Sequence, residues 1–189
     1  QELGEDADVL KYEGHRKHPP LFDDTAGWIR RGWVDAALLS ALADLERGNT
    51  TAVWSLLREE GTVTPAGGVY SFRVFSKEFC DLLLAELDNF YASGLPISRP
   101  NSMNNYGIIV NHIGLQPAIS HLQRTLLQPL AELLYPVQAA GGFDGHHSFM
   151  VRYRAEEDLG LDMHTDDSDV TFNFCLGRNF TGAALTLCG

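Results

Sequence analysis

The chain has 189 residues, of which 44% are apolar and 21% are charged, a balance typical of a folded globular chain that excludes disorder as its overall state. Its 14 basic and 25 acidic residues give a formal net charge of −11, which argues against nucleic-acid binding, and no stretch approaches the roughly 18 apolar residues of a membrane span. Three cysteines are too few for a disulfide scaffold or a cysteine-based zinc site. The sequence does not determine the subcellular location of the protein, although an intracellular location is slightly favoured.

The first 68 residues predict an N-terminal arm followed by helices. Residues 1–24 are polar and acid-rich and predict an extended arm. Apolar residues spaced by three and four over residues 28–47 predict a helix, or a helical pair broken at Gly32. A short helix is expected over residues 51–60, and turn residues fill 61–68.

Residues 69–189 predict a second part in which strands follow helices. Residues 69–75 are aromatic and β-branched enough for a strand, and Ser76 is a candidate N-cap for a helix that ends near Tyr91. A helix over residues 117–134 should kink or split at Pro129. Strand-like runs then occupy residues 148–153, 170–176 and 184–187. This order predicts an α+β fold with a largely antiparallel β core on the C-terminal side.

The segment with the clearest chemistry is His164-Thr165-Asp166. Residues two apart in an extended segment project to the same side, so His164 and Asp166 can present a nitrogen and an oxygen to one ion. Two histidines and a carboxylate form the ligand set of non-haem Fe(II) oxygenases. The short pattern alone is weak, because seven histidines and many aspartates make a chance occurrence expected, and a solvated turn is the alternative.

Longer motifs around this triplet carry a family resemblance. The runs are Phe149-Met150-Val151-Arg152-Tyr153, Val170-Thr171-Phe172-Asn173-Phe174-Cys175-Leu176-Gly177, Phe180-Thr181-Gly182-Ala183-Ala184-Leu185 and, upstream, Arg99-Pro100-Asn101-Ser102-Met103-Asn104-Asn105-Tyr106-Gly107. Leu127-Gln128-Pro129-Leu130 and Leu134-Tyr135-Pro136 add to them. Over about residues 69–189 the chain resembles the 2-oxoglutarate- and Fe(II)-dependent dioxygenases of the procollagen lysyl and prolyl hydroxylase branch. It is most similar there to the 2-oxoglutarate and iron-dependent oxygenase domain-containing proteins.

The resemblance implies a double-stranded β-helix (jelly-roll) core and assigns roles to four residues, and alternation adds Thr171 on the face of Asn173. His164 and Asp166 become the first two iron ligands. Tyr153 matches a tyrosine that faces the 2-oxoglutarate pocket, although a core tyrosine is an equal alternative. Thr171 and Asn173, on one face with Cys175, are cosubstrate-pocket candidates. The implied cofactors are Fe(II), 2-oxoglutarate and ascorbate.

Some parts of the family pattern are missing. The 23 residues after Asp166 contain no histidine for the third ligand, and Arg178 comes too early to be the base that binds 2-oxoglutarate. Fewer than the eight strands of a jelly roll can be counted. We therefore expect residues 69–189 to form the N-terminal part of an incomplete jelly roll. His146 and His147 are expected to be exposed turn residues rather than metal ligands.

Three functions follow in order of preference. The first is a dioxygenase that hydroxylates a protein or peptide side chain, with the acidic balance favouring a basic partner. The second is a catalytically inactive dioxygenase-like domain acting as a structural or interaction module in an assembly. The third, a metal-free cupin-like binding domain, would leave the His164–Asp166 pattern unexplained.

Overall fold

The computed structural model describes residues 11–64, 67–177, 181–182 and 185–187. Its α-helices are α1 (Thr25–Arg30), α2 (Ala36–Glu46), α3 (Thr51–Leu56), α4 (Lys77–Ala92), α5 (Gln116–Leu122) and α6 (Gln128–Leu134). Its strands are β1 (Arg58–Thr64), β2 (Gly67–Ser71), β3 (Gly107–Ile109) and β4 (Phe149–Val151). Two 3-10 turns (Pro19–Phe22 and Val110–Ile113) and a π turn (Gln123–Leu127) complete the regular structure of the described residues. Helices and small antiparallel sheets confirm the α+β class.

Side-chain caps explain where three of the helices begin. The Asp24 carboxylate accepts a hydrogen bond from the Gly27 amide at the start of α1. The Asp35 carboxylate accepts hydrogen bonds from two amides in the first turn of α2. Ser76 does the same for the Phe79 amide, which confirms the predicted cap of α4. Gly32, at a φ of +70°, separates α1 from α2, so the helical pair is confirmed.

The long helix predicted over residues 117–134 is split, as Pro129 requires. Helix α5 ends at Leu122, the chain widens into the π turn, and α6 resumes with Pro129 in its first turn. Proline has no amide hydrogen to donate to the preceding turn, and a widened turn accommodates that loss.

The predictions for residues 51–75 are wrong in part. Helix α3 ends at Leu56, and residues 58–64 and 67–71 pair as the bulged antiparallel strands β1 and β2 where a turn was expected. The expected strand over 69–75 ends at Ser71. The hairpin is positioned by Tyr135, whose hydroxyl donates to the Gly68 carbonyl at 2.8 Å and whose ring packs near Tyr70.

A second sheet pairs β3 with β4 in antiparallel register, with Ile108 opposite Met150. Gly107 is required at its edge, because a Cβ atom there would lie 2.0 Å from the Met150 carbonyl oxygen. This close approach brings the chain from the 101–106 loop to the segment that precedes the His164–Asp166 motif.

The buried core joins both predicted parts of the chain. Its larger cluster contains Trp28, Leu38 and Val53 from the first 68 residues together with Phe79 and Leu126 from the rest. The smaller cluster surrounds Tyr12 and includes residues of α4 and β3. The boundary proposed at residues 68 and 69 falls within β2, and it stays a prediction.

Residues 152–177 follow β4 without a regular helix or strand. The strand predicted over 170–176 is therefore wrong for the described chain, because no partner strand hydrogen-bonds it there. Residues 184–187 fall partly outside the described residues. Within the described part, no helix has the length and apolarity needed to cross a membrane. The jelly-roll core remains a prediction.

Candidate functional site

The His164–Asp166 motif brings its two side chains together. The His164 Nε2 atom lies 3.2 Å from the Asp166 Oδ1 atom, and the two side chains are 35% and 46% exposed. Convergence of these two groups is what the alternation of side chains predicts for residues two apart. The pair faces solvent in an irregular segment, so it is accessible to an ion.

The hydrogen bond at His164 Nδ1 sets which ring nitrogen carries the hydrogen in the neutral imidazole. His164 Nδ1 lies 2.9 Å from the backbone carbonyl oxygen of Asp162, which can only accept a hydrogen bond. Nδ1 therefore carries the hydrogen, and in the neutral ring Nε2 presents a lone pair. That lone pair faces a carboxylate oxygen, and two acceptors at 3.2 Å need a proton or a cation between them.

Asp166 is oriented through its other oxygen. The Thr171 hydroxyl donates to Asp166 Oδ2 at 2.6 Å, and Ser168 Oγ lies 3.0 Å from Thr171 Oγ1. This arrangement leaves Oδ1 directed at His164. A hydrogen-bonded outer partner of this kind is what orients carboxylate ligands in metal sites.

The distances fit two neighbouring ligands of one metal ion. Nitrogen and oxygen ligands at about 2.1 Å from a metal and at right angles to each other lie about 3.0 Å apart, close to the separation found here. Among the described residues, no group of three or more histidine, cysteine, aspartate or glutamate side chains is arranged to hold a metal. Among the described residues, the motif thus presents one nitrogen and one oxygen whose separation would suit a shared cation.

The cosubstrate candidates are not all brought to the motif. Thr171 contacts the motif by donating a hydrogen bond to the Asp166 carboxylate rather than by lining a pocket. Tyr153 is half-buried in a backbone bridge with Asp158, and Asn173 is exposed. Their roles toward 2-oxoglutarate stay predictions. Arg178 lies outside the described residues.

The histidines before β4 differ from each other. His147 is exposed, as predicted, with its Nε2 3.1 Å from the Pro100 carbonyl oxygen. His146 is half-buried between two hydroxyls, with Nε2 2.9 Å from Ser120 and Nδ1 2.8 Å from Ser148, so its prediction as an exposed residue is wrong. Burial and the neighbouring His147 hold the pKa of His146 below its usual range. His146 thus attaches the chain before β4 to α5.

Asp158, which the sequence reasoning missed, fixes the start of the segment that leads to the motif. Its carboxylate accepts hydrogen bonds from the backbone amides of Asn105 at 2.7 Å and Tyr106 at 3.1 Å, and from the Asn105 side chain at 3.2 Å. Desolvation raises the pKa of Asp158, but these hydrogen bonds outweigh it and hold the pKa below its usual range. The three asparagines within residues 101–105 were the available signal, since they supply donors that need an acceptor.

Arg152 holds the same segment from its other side. It forms a two-pronged ion pair with Glu157, at 2.7 and 2.5 Å, and its guanidinium lies 4.1 Å from the centre of the Tyr91 ring on α4. Such planar pairing is geometrically specific. Residues 152–158 are thereby anchored to the 101–106 loop and to α4, immediately before the motif.

Comparisons with known proteins identify the family. Residues 36–141 match the OGFOD2-like domain. The chain is 42% identical over 135 residues to human 2-oxoglutarate and iron-dependent oxygenase domain-containing protein 2, which covers 71% of this chain and 39% of that protein. It is 35% identical over 186 residues to the Xenopus tropicalis protein of the same name, covering 98% of this chain and 52% of that protein.

A more distant similarity links the chain to lysyl hydroxylases. It is 30% identical over 123 residues to human procollagen-lysine,2-oxoglutarate 5-dioxygenase 1, covering 61% of this chain and 17% of that protein. No solved structure matches the chain. The chain spans about half the length, or less, of the curated relatives of its own group. Since the family match extends over more than half of its residues, the chain belongs to the OGFOD2-like family, the group of the 2-oxoglutarate and iron-dependent oxygenase domain-containing proteins.

Proposed function

We propose that this chain supplies the first two iron ligands, His164 and Asp166, of an Fe(II)- and 2-oxoglutarate-dependent oxygenase that hydroxylates a protein or peptide side chain. The observation that carries the proposal is the 3.2 Å approach of His164 Nε2 to Asp166 Oδ1, with the imidazole hydrogen fixed on the opposite nitrogen. This geometry directs a nitrogen and an oxygen at the same position, where a cation can replace the proton between them.

The chain's own residues prepare the ligands for the metal. The Asp162 carbonyl keeps His164 in the tautomer that offers Nε2, and Thr171 holds the Asp166 carboxylate so that Oδ1 remains available. When bound, Fe(II) supplies the redox chemistry that couples decarboxylation of 2-oxoglutarate to succinate with hydroxylation of the substrate. Ascorbate is the expected reductant.

The jelly-roll core and the 2-oxoglutarate pocket belong to the same proposal. A jelly-roll core would enclose a pocket, to which Tyr153 and Asn173 would contribute. The names of the relatives, which state dependence on 2-oxoglutarate and iron, support this assignment of cofactors.

The substrate class rests on the more distant relatives and on charge. The procollagen-lysine dioxygenases are named for a residue of a protein, which favours a protein or peptide substrate. The net charge of −11 favours a basic partner, because opposite charge accelerates encounter.

The test is succinate release from 2-oxoglutarate under matched iron and ascorbate. We expect no coupled turnover from residues 1–189 alone, and turnover from a longer chain in which a downstream histidine supplies the third ligand. In the longer chain, His164→Ala or Asp166→Ala should abolish turnover, while the neighbouring Asp167→Ala should leave it intact. Full turnover after loss of either ligand would contradict the proposal.

The alternative is a catalytically inactive module that takes part in an assembly. The observation in its favour is that the described residues hold no three-ligand cluster. A longer chain that binds no Fe(II) at His164 and releases no succinate, yet folds and associates with a partner, would favour this function over the oxygenase.

A further inference from the structure

Two thiols outside the metal motif face one cleft. Cys80, near the start of α4, and Cys175, in the irregular segment after the motif, both line an open cleft of about 550 Å³. Neither thiol is in a disulfide. The two residues are 95 positions apart in sequence, so their meeting is a product of the fold.

Aromatic packing holds the two elements beside each other. The Phe174 ring lies 5.5 Å from the Phe75 ring, which in turn stacks on Phe79 at 4.3 Å. Phe172 packs against the larger core cluster. The alternate positions 172 and 174 thus attach residues 170–177 to the helical core beside the start of α4, next to Cys80.

The two thiols differ in reactivity. Cys80 is half-buried, and its pKa is raised by burial first, then by the Asp81 carboxylate and by the Cys175 thiol itself. Cys175 is exposed to solvent. Because reactivity follows thiolate character and access, Cys175 should react first with a soluble oxidant.

We propose that Cys80 and Cys175 form a reversible disulfide when the protein meets a peroxide. Hydrogen peroxide oxidises the Cys175 thiol to a sulfenic acid with release of one water. The Cys80 sulfur then attacks the Cys175 sulfur, the S–O bond breaks, the proton leaves with the hydroxyl as a second water, and two thiols have been oxidised by two electrons. The bond joins α4 to the segment that carries Thr171. This disulfide is a property separate from the proposed oxygenase function.

The consequence is a covalent clamp on the chain after the metal motif. In the reduced protein, residues 170–177 are attached to the helical core through the contacts of Phe172 and Phe174. A disulfide at Cys175 would prevent that segment from leaving α4, and an excess of thiol would restore its freedom. The oxidised protein should therefore resist proteolysis of residues 170–177 more strongly than the reduced protein.

The experiment maps the bond in the intact chain. The reduced protein is treated with one equivalent of hydrogen peroxide in the presence of a metal chelator, so that iron plays no part, and remaining thiols are blocked with N-ethylmaleimide. Trypsin separates the three cysteines into peptides 78–124, 155–178 and 179–189, since Arg99 precedes a proline. We expect a linked pair of 78–124 with 155–178, lighter by two hydrogens and split by thiol.

Controls make each outcome decisive. A mixture of ¹⁴N- and ¹⁵N-labelled protein distinguishes a bond within one chain from a bond between copies. Cys188→Ser should retain the linked pair, and Cys175→Ser should leave Cys80 fully alkylatable. Linkage of 155–178 to 179–189, linkage between copies, or sulfinic acid at Cys175 with Cys80 still free would each overturn the proposal. The measurement involves no enzyme activity, so its failure would leave the proposed oxygenase untouched.

Discussion

Removing the Thr171 hydroxyl tests whether Asp166 is oriented for a metal. Thr171→Val keeps the shape of the side chain and deletes the donor that contacts Asp166 Oδ2 at 2.6 Å. The free carboxylate can then rotate, so that Oδ1 no longer faces His164 for most of the time. We expect weaker metal binding with an unchanged fold, because Thr171 is exposed.

The expected size follows from the exposure of the carboxylate. A hydrogen bond to a charged group contributes about 1.5–3 kcal/mol, and loss of an outer partner costs about 10- to 100-fold in metal affinity. Asp166 is 46% exposed, so water replaces part of the lost bond and the lower limit applies. We expect about a tenfold rise in Kd for Mn²⁺, or about 1.4 kcal/mol.

The assay is titration with Mn²⁺, a redox-stable substitute for Fe(II), followed by the loss of amide resonances near the motif. Thr171→Ser keeps the hydroxyl and should bind nearly as the wild type does. Thr165→Val is the matched control, because among the described residues the Thr165 side chain has no hydrogen bond. An unchanged Kd in Thr171→Val would refute the orienting role.

Three further predictions concern the fold around the site. The pKa of Asp158 is lower in the folded protein than its unfolded value of about 3.9, so its carboxylate stabilises the fold above that pH. This stabilisation is lost as the pH falls through the folded pKa. The Asn105 amide resonance should therefore titrate below a pH of about 3.9. The pKa of His146 is lowered in the folded protein, so the fold is most stable above the unfolded pKa of about 6.5 and loses stability as the pH falls below it. The Tm should therefore fall from pH 7.5 to 5.5. It should fall less in His146→Asn. Glu86→Ala should lower the free energy of unfolding by about 3 kcal/mol in urea, because the buried carboxylate accepts from two amides and Tyr12.

Each of these has a result that would contradict it. A midpoint for Asn105 at or above pH 3.9 would mean that Asp158 is not held in its charged form. Equal Tm changes in the wild type and His146→Asn would remove the role of His146 in acid sensitivity. For Glu86, the matched control is the exposed Glu78→Ala on the same helix, expected within about 0.5 kcal/mol of the wild type, and an equal effect of both variants would contradict the burial argument.

Helices were predictable where local chemistry decides them. Ser76 marks the start of α4 because its hydroxyl satisfies an amide that the helix leaves free, and Pro129 marks the split because it lacks a hydrogen-bond donor. The β1–β2 hairpin was missed because Arg58-Glu59-Glu60-Gly61-Thr62 has no alternation of apolar residues. That hairpin depends on Tyr135, which is distant in sequence and donates to Gly68.

The meeting of His164 with Asp166 was predictable from the sequence, and the groups that orient the two side chains were not. Spacing of two placed His164 and Asp166 on one side, and the structure brings them to 3.2 Å. The tautomer depends on the carbonyl of Asp162, and every residue has a carbonyl, so no sequence pattern singled it out. Thr171 was assigned to the cosubstrate pocket because alternation places it on the face of Asn173, whereas its hydroxyl contacts the Asp166 carboxylate. That contact depends on how residues 166–171 turn.

The central claim is that His164 and Asp166 bind one metal ion together, and paramagnetic broadening by Mn²⁺ tests it most directly. In the wild-type chain, the amides of residues 162–171 should broaden at lower Mn²⁺ concentrations than those of any other segment. His164→Ala and Asp166→Ala should each remove that selectivity, and Asp167→Ala should preserve it. Broadening that begins at other acidic residues, or that persists at residues 162–171 in both ligand variants, would contradict the account.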